Sequence, residues 1–158
     1  MQAPSNLQLP DGIEELASPA VVPGRLGSDT LTPVSGGAIR VLTQPVYLPE
    51  HSDPMTPQHI FGYKVRVVNQ TDRAIRLIRR KWLIIDSHGR SEQVEGEGIV
   101  GKMPLLKPGA AHEYNSYCPL RTSWGTMEGE YGVADTEGNN FRVRIGRFYL
   151  AAPRDEHR

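Results

Sequence analysis

From Ala38 onward the chain alternates apolar and polar residues with a period of two, the pattern of strands that bury one face. His59-Ile-Phe-Gly-Tyr-Lys-Val-Arg-Val-Val68 is the clearest stretch: Tyr63, Val65 and Val67 point one way, Lys64 and Arg66 the other. Ile39 to Leu48 reads as an earlier strand, and Pro45, which cannot donate to a ladder, places it at a sheet edge or a bulge. Ile75 to Ile85 follows, with Trp82 as its core anchor. Ala111 to Cys118, Thr126 to Ala134, and Phe141 to Ile145 running on to Phe148-Tyr-Leu150 complete the set. Asn69-Gln-Thr-Asp72, Asp86-Ser-His-Gly89 and Asp135-Thr-Glu-Gly-Asn139 carry turn chemistry between them. No amphipathic helix of useful length is present in this region. Short strands with turns roughly every 8 to 12 residues predict an all-β sandwich, with a closed barrel as the alternative.

The first 37 residues break this pattern, because Pro4, Pro10, Pro19, Pro23 and Pro33 recur too often for a helix or central strand to persist. They predict a flexible, disordered N-terminal arm over residues 1–37, in which Gly12 to Ala17 could form one helical turn, ahead of a domain over 38–153 and a tail over 154–158. At 158 residues, with 38% hydrophobic content, the chain supports one domain with its own core. Lys and Arg balance Asp and Glu at 18 each, so no global field draws the protein to nucleic acid or to an anionic membrane. The single cysteine, Cys118, excludes an internal disulfide framework and agrees with a reducing compartment. With no basic residue before Arg25, no leader-like apolar run and no span of membrane length, the expected location is the cytoplasm.

One stretch concentrates the candidate chemistry: Glu95-Gly-Glu-Gly-Ile-Val-Gly101, followed by Pro104-Leu-Leu-Lys-Pro-Gly109. Gly96, Gly98 and Gly101 match the spacing of a dinucleotide fingerprint, but Pro104 and Pro108 prevent the helix that such a motif requires. A structural loop is the plainer reading. Arg79-Arg80-Lys81 sits on an alternating strand, so the three side chains cannot face one ligand without a bulge; a solvated face with one snorkelling arginine is expected. The five histidines show no paired metal-ligand spacing, and no metal site or cofactor is expected. Cys118 and His112 stand six residues apart on one strand, about 20 Å at 3.3 Å per residue, too far for a catalytic dyad. Tyr117 and Trp124, read as bulky loop residues, are candidate anchors for a protein partner, with packing at the loop base as the alternative.

Arg80-Lys-Trp-Leu-Ile-Ile-Asp86, Gly96 to Gly101, Pro104 to Gly109, Glu113-Tyr-Asn-Ser116 and Cys118-Pro-Leu-Arg-Thr122, with Met127, Gly129 and Tyr131, together resemble the ordered motifs of the ApaG family. The resemblance covers about Ile39 to Pro153. It implies a fibronectin type III or immunoglobulin-like β-sandwich, found alone in bacteria and as a domain of eukaryotic F-box and polymerase-interacting proteins, with no established enzymatic reaction. It also implies an association with cobalt and magnesium resistance, and pyrophosphate binding at the glycine loop. The residues that would serve such a site are Gly96, Gly98 and Gly101 for backbone N–H groups, and Arg80, Lys102 and Arg121 for charge. Glu95 and Glu97 oppose an anion there. Lys81 and Arg79 depart from the family pattern before Trp82, as do Tyr117 and Trp124 further on. The function expected from all this is a non-enzymatic binding module, contacting a protein partner or a small phosphate-containing ligand through loops of a β-sandwich. A nucleoside polyphosphate-binding protein or enzyme, or a protein of divalent-cation handling, is the alternative.

Overall fold

The computed structural model describes residues 21–153; Gly12 to Ala17 and the 154–158 tail lie outside the described residues. Its strands are β1 (Ser28–Val34), β2 (Gly37–Tyr47), β3 (His59–Thr71), β4 (Ile75–Asp86), β5 (Ser91–Glu97), β6 (Leu105–Leu106), β7 (Ala111–Leu120), β8 (Trp124–Asp135) and β9 (Asn140–Ala151). One antiparallel sheet runs β1-β2-β3-β7, the other β5-β4-β8-β9, with β6 added at the start of β4. Two open sheets face each other. The architecture is the expected fibronectin type III-like sandwich, and the barrel alternative falls away.

Three strands were hidden in segments read as arm or loop. Ser28–Val34 pairs β2 from Ser28 opposite Thr43 to Val34 opposite Gly37, so the sheet begins ahead of the boundary expected at Ala38. An edge strand tolerates Pro33, and its hydroxyls stitch it to the second sheet: Ser28 Oγ donates to the Gly146 carbonyl at 2.9 Å and Thr32 Oγ1 accepts from the Arg144 amide at 3.0 Å. Pro45 lies just past the point where β1 stops at Thr43, so its missing donor faces no neighbour. Ser91–Glu97 and Leu105–Leu106, on either side of the glycine turn, both pair β4. Asn69 continues β3 instead of opening a turn; its buried Nδ2 donates to the carbonyls of Arg73 and Leu106, both at 2.9 Å.

Between the sheets, Ile39, Val41, Phe61, Val65 and Val67 meet Leu77, Tyr131, Val143, Ile145 and Phe148. Trp82 is the anchor the sequence predicts. It is 3% exposed and meets Tyr63 and Phe148 edge-on, with ring centroids 5.4 and 6.0 Å away.

The β4–β5 and β8–β9 hairpins use one device twice. Asp86 Oδ1 accepts the amides of His88 and Arg90, and Asp135 Oδ1 those of Glu137 and Asn139, while Gly89 and Gly138 take φ of +84° and +86°. The Asn139 side-chain amide and then the turn's backbone amides hold the Asp135 carboxyl below its ordinary value near 3.8. Burial pushes Asp86 up, but the amides and guanidinium around it outweigh that and its pKa is lowered too. A depressed folded pKa contributes stability that is present above the unfolded value and lost as pH falls through the folded one. Urea unfolding should therefore show midpoints that fall steeply below about pH 4, with a shallower fall in the Asp86→Asn/Asp135→Asn variant.

Candidate functional site

The second sheet carries most of the candidate residues, and a bulge in β4 decides where they point. Pairing with β8 shifts between Leu77 and Arg79, which leaves Ile78 as the extra residue. Regular alternation resumes after it, so Arg79 and Lys81 face solvent while Arg80 turns into the sandwich. Arg80 is 8% exposed, which corrects the expectation of a snorkelling arginine on a solvated face. Its Nη1 donates to the carbonyls of Glu97 at 2.9 Å and Gly98 at 3.0 Å, and no ion pair joins it to a carboxylate among the described residues. Burial lowers its pKa, opposed by the nearby Tyr114 and Tyr63 hydroxyls. Gly96 makes this possible, because a Cβ there would fall 2.4 Å from Nη2.

The glycine stretch closes in a two-residue turn. Ile99 and Lys102 exchange backbone hydrogen bonds at 2.7 and 3.1 Å around Val100, at φ +50°, and Gly101, at φ +79°, the signs of a type I′ turn. A β-branched residue in that region is strained, and the contacts on both sides hold it there. The amides of Gly98, Ile99 and Lys102 donate within the protein, to Ile78, Lys102 and Ile99 respectively. No helix follows Gly101, so the dinucleotide geometry is absent. Lys102 is exposed and close enough to His112 to add to the lowering that burial imposes on that imidazole. His112 stacks on Tyr114, whose hydroxyl pairs across the sandwich with that of Tyr131.

The remaining candidates lie elsewhere. β4 and β5 pair from Arg79 opposite Glu97 to Ile85 opposite Ser91, so the two ends of this ladder stand about 20 Å apart. Arg121 lines a hollow with Asp86, Arg90 and Leu120 at the far end, away from Gly96, Gly98, Gly101 and Lys102. Tyr117 lies in the strand expected over Ala111 to Cys118 and Trp124 opens another, so neither is a loop anchor, and they sit on opposite outer faces. Tyr117 lies opposite Gly62 on β3 and packs on Leu48 and Ile60; Trp124 opens β8 and is 50% exposed. Trp124 has a neighbour the sequence reading passed over, Tyr149. Thr126 pairs Tyr149 and Trp124 pairs Ala151, so the two aromatics are diagonal on one face. The alternation of Phe148, Tyr149 and Leu150 carried that signal. Cys118 is buried, which pushes its thiol up to about 12, and its inertness at neutral pH follows. No group of three or more His, Cys, Asp or Glu side chains that could hold a metal ion occurs among the described residues.

Comparison with known proteins places this arrangement. Residues 49–135 match the ApaG domain, from the 3₁₀ turn ahead of β3 to the end of β8. A Bordetella pertussis relative, Protein ApaG, is 43% identical over 125 residues, covering 79% of this chain and 95% of the relative. The chain belongs to the ApaG family. Protein ApaG of Paramagnetospirillum magneticum is 41% identical over 120 residues, covering 76% of this chain and 92% of its own. The crystal structure of an ApaA protein from Bordetella pertussis superposes with a TM-score of 0.73 at 41% identity, covering 80% of this chain and all of that one. A further X-ray structure, a structural-genomics target, gives 0.70 at 34% identity over 75% of this chain and 90% of its own. These ApaG relatives are named for the family and not for a reaction. The matched ApaG domain contains the glycine turn, Arg80 and Trp124, while β9 with Tyr149 follows it.

Proposed function

We propose that this chain is a non-enzymatic binding module that docks a protein partner on the outer face of its second sheet, with Trp124 as the anchor. The observation that carries this reading is a half-exposed indole on a fixed backbone. Thr122 Oγ1 donates to the Trp124 carbonyl at 2.7 Å and accepts from the Ser87 amide at 3.1 Å, while the Ala152 amide donates to the Ser123 carbonyl at 2.8 Å. Tyr149, 44% exposed, and the half-buried Leu83 and Ile85 extend the apolar area beside it. Large aromatics held in place lose little freedom on binding, which is why they recur as anchors of protein interfaces. With tagged protein as bait, Trp124→Ala should remove at least one stoichiometric partner that the wild type retains, while the thermal midpoint moves by no more than about 3 °C. Undiminished capture by Trp124→Ala would refute the assignment.

A second reading is a small phosphate-bearing ligand at the glycine turn, and its support is Lys102 standing beside His112 at the turn's exposed end. It draws on Lys102 and His112 rather than on Arg80, which is committed to carbonyl oxygens, or on Arg121, which is remote. Calorimetry with pyrophosphate tests it: this reading expects heat that Lys102→Ala abolishes. Silence at millimolar ligand, a free energy weaker than about −4 kcal/mol, removes it.

A further inference from the structure

Gly132 differs from its neighbours among the glycines of the second sheet. A Cβ at Gly125 would fall 2.5 Å from the Ile85 carbonyl oxygen, at Gly129 2.0 Å from that of Lys81, and at Gly146 2.0 Å from Thr30 Oγ1. Close contact dictates those three. At Gly132 the nearest atom would be the Cβ of Arg79 at 3.3 Å, a tight contact but one without overlap of backbone oxygen, and its φ lies outside the left-handed region. Glycine in a strand interior marks a bulge or the close approach of another group; Gly132 faces the bulge at Ile78, and its missing side chain leaves room for a ligand over its backbone.

The register supplies the rest of the site. On the same outer face Arg79 of β4 and Arg142 of β9 lie directly opposite Gly132, one on each side. Strands about 4.8 Å apart put the two arginine Cα atoms roughly 10 Å from each other, with only the Gly132 backbone between them. A hollow of about 540 Å³ results, bordered by the bulged Ile78, by Phe141 and, at its rim, by Asn140. Both guanidiniums stand more than half exposed, and their carboxylate neighbours are at the outer limit of an ion pair, Glu95 at 4.0 Å and Glu130 at 3.9 Å. Exposed pairs of that length hold little and exchange readily.

We propose that this hollow binds a phosphate monoester carried on a planar ring. Two guanidiniums match the dianion in charge, and their forked N–H groups match its oxygens in geometry. The ring fits over Gly132, where any side chain would fill the space, beside Ile78. The site is separate from the Trp124 end; it adjoins the glycine turn through Ile78, whose carbonyl accepts the Gly98 amide, but it uses neither Lys102 nor His112.

A titration of ¹⁵N-labelled full chain with phenyl phosphate, followed by amide chemical shifts, tests it. Saturable shifts should centre on residues 79, 132 and 142, with inorganic phosphate and benzyl alcohol each binding about tenfold more weakly or worse. Gly132→Val and Arg79→Gln/Arg142→Gln should each weaken phenyl phosphate by about tenfold or more, and the second variant serves if the first fails to fold. Absent shifts, shifts centred on Lys102 and His112, inorganic phosphate binding as tightly as phenyl phosphate, or unaltered affinity in a folded variant would each overturn the proposal.

Discussion

Trp82→Ala should lower the unfolding free energy by about 3–5 kcal/mol, read from the urea midpoint at an unchanged slope. Trp82 is 3% exposed at the centre of the sandwich, where it meets an aromatic ring from each sheet, Tyr63 of β3 and Phe148 of β9. Deleting the indole removes its transfer free energy and leaves a cavity that two strongly paired sheets cannot collapse to fill. Stability of a domain this size is on the order of 5–15 kcal/mol, so the loss is a large share of the total. The other tryptophan is the internal control. Trp124 is 50% exposed, and Trp124→Ala should stay within about 1 kcal/mol of wild type. Equal losses at the two positions would contradict the assignment of one to the core and the other to a binding face.

Arg80→Ala should cost about 2–4 kcal/mol, because it leaves the Glu97 and Gly98 carbonyls without their donor and opens a void beneath β5. The amides of Gly98, Ile99 and Lys102 should then exchange with solvent faster than in the wild type, since the clamp on the turn is gone. Gly96→Ala should reproduce most of this effect. Its Cβ would overlap the guanidinium, 2.4 Å from Nη2 and 2.6 Å from Nη1, and drive Arg80 off the carbonyls. Once the arginine is absent, the three nearest atoms that the same alanine would meet are gone. The double variant should thus be more stable than the sum of the single losses predicts, by about 1–2 kcal/mol. Strict additivity would show that Gly96 and Arg80 act independently.

The alternation of β3 and β4 was enough to indicate a sandwich and to place Trp82 in it, because strands buried on one face write their orientation into the sequence every second residue. β1 and β5 were not legible, for two different reasons. β1 is an edge strand whose Ser28 and Thr32 make contacts through hydroxyls, so it lacks the apolar rhythm. β5 carries Gly96 because a guanidinium from the neighbouring strand occupies the place of its side chain. The position of Arg80 depends on the bulge at Ile78, which belongs to the pairing of β4 with β8 rather than to local propensity. The proposed pyrophosphate residues were grouped by proximity in sequence and by charge. The ladder separates Arg121 from the glycines by nearly its whole length; His112 meets Lys102 only through the packing of the two sheets, and although alternation turns Tyr149 outward, only register sets it diagonal to Trp124.

The central claim is a division of labour, with the glycine turn held inward by Arg80 and recognition placed on the outer face around Trp124. A photo-reactive aromatic amino acid, which keeps a ring at the anchor, introduced at position 124 and, separately, at position 102 measures this in the cell of origin. The account predicts covalent adducts to a partner protein from position 124 and none from position 102. Adducts from position 102 alone would contradict it.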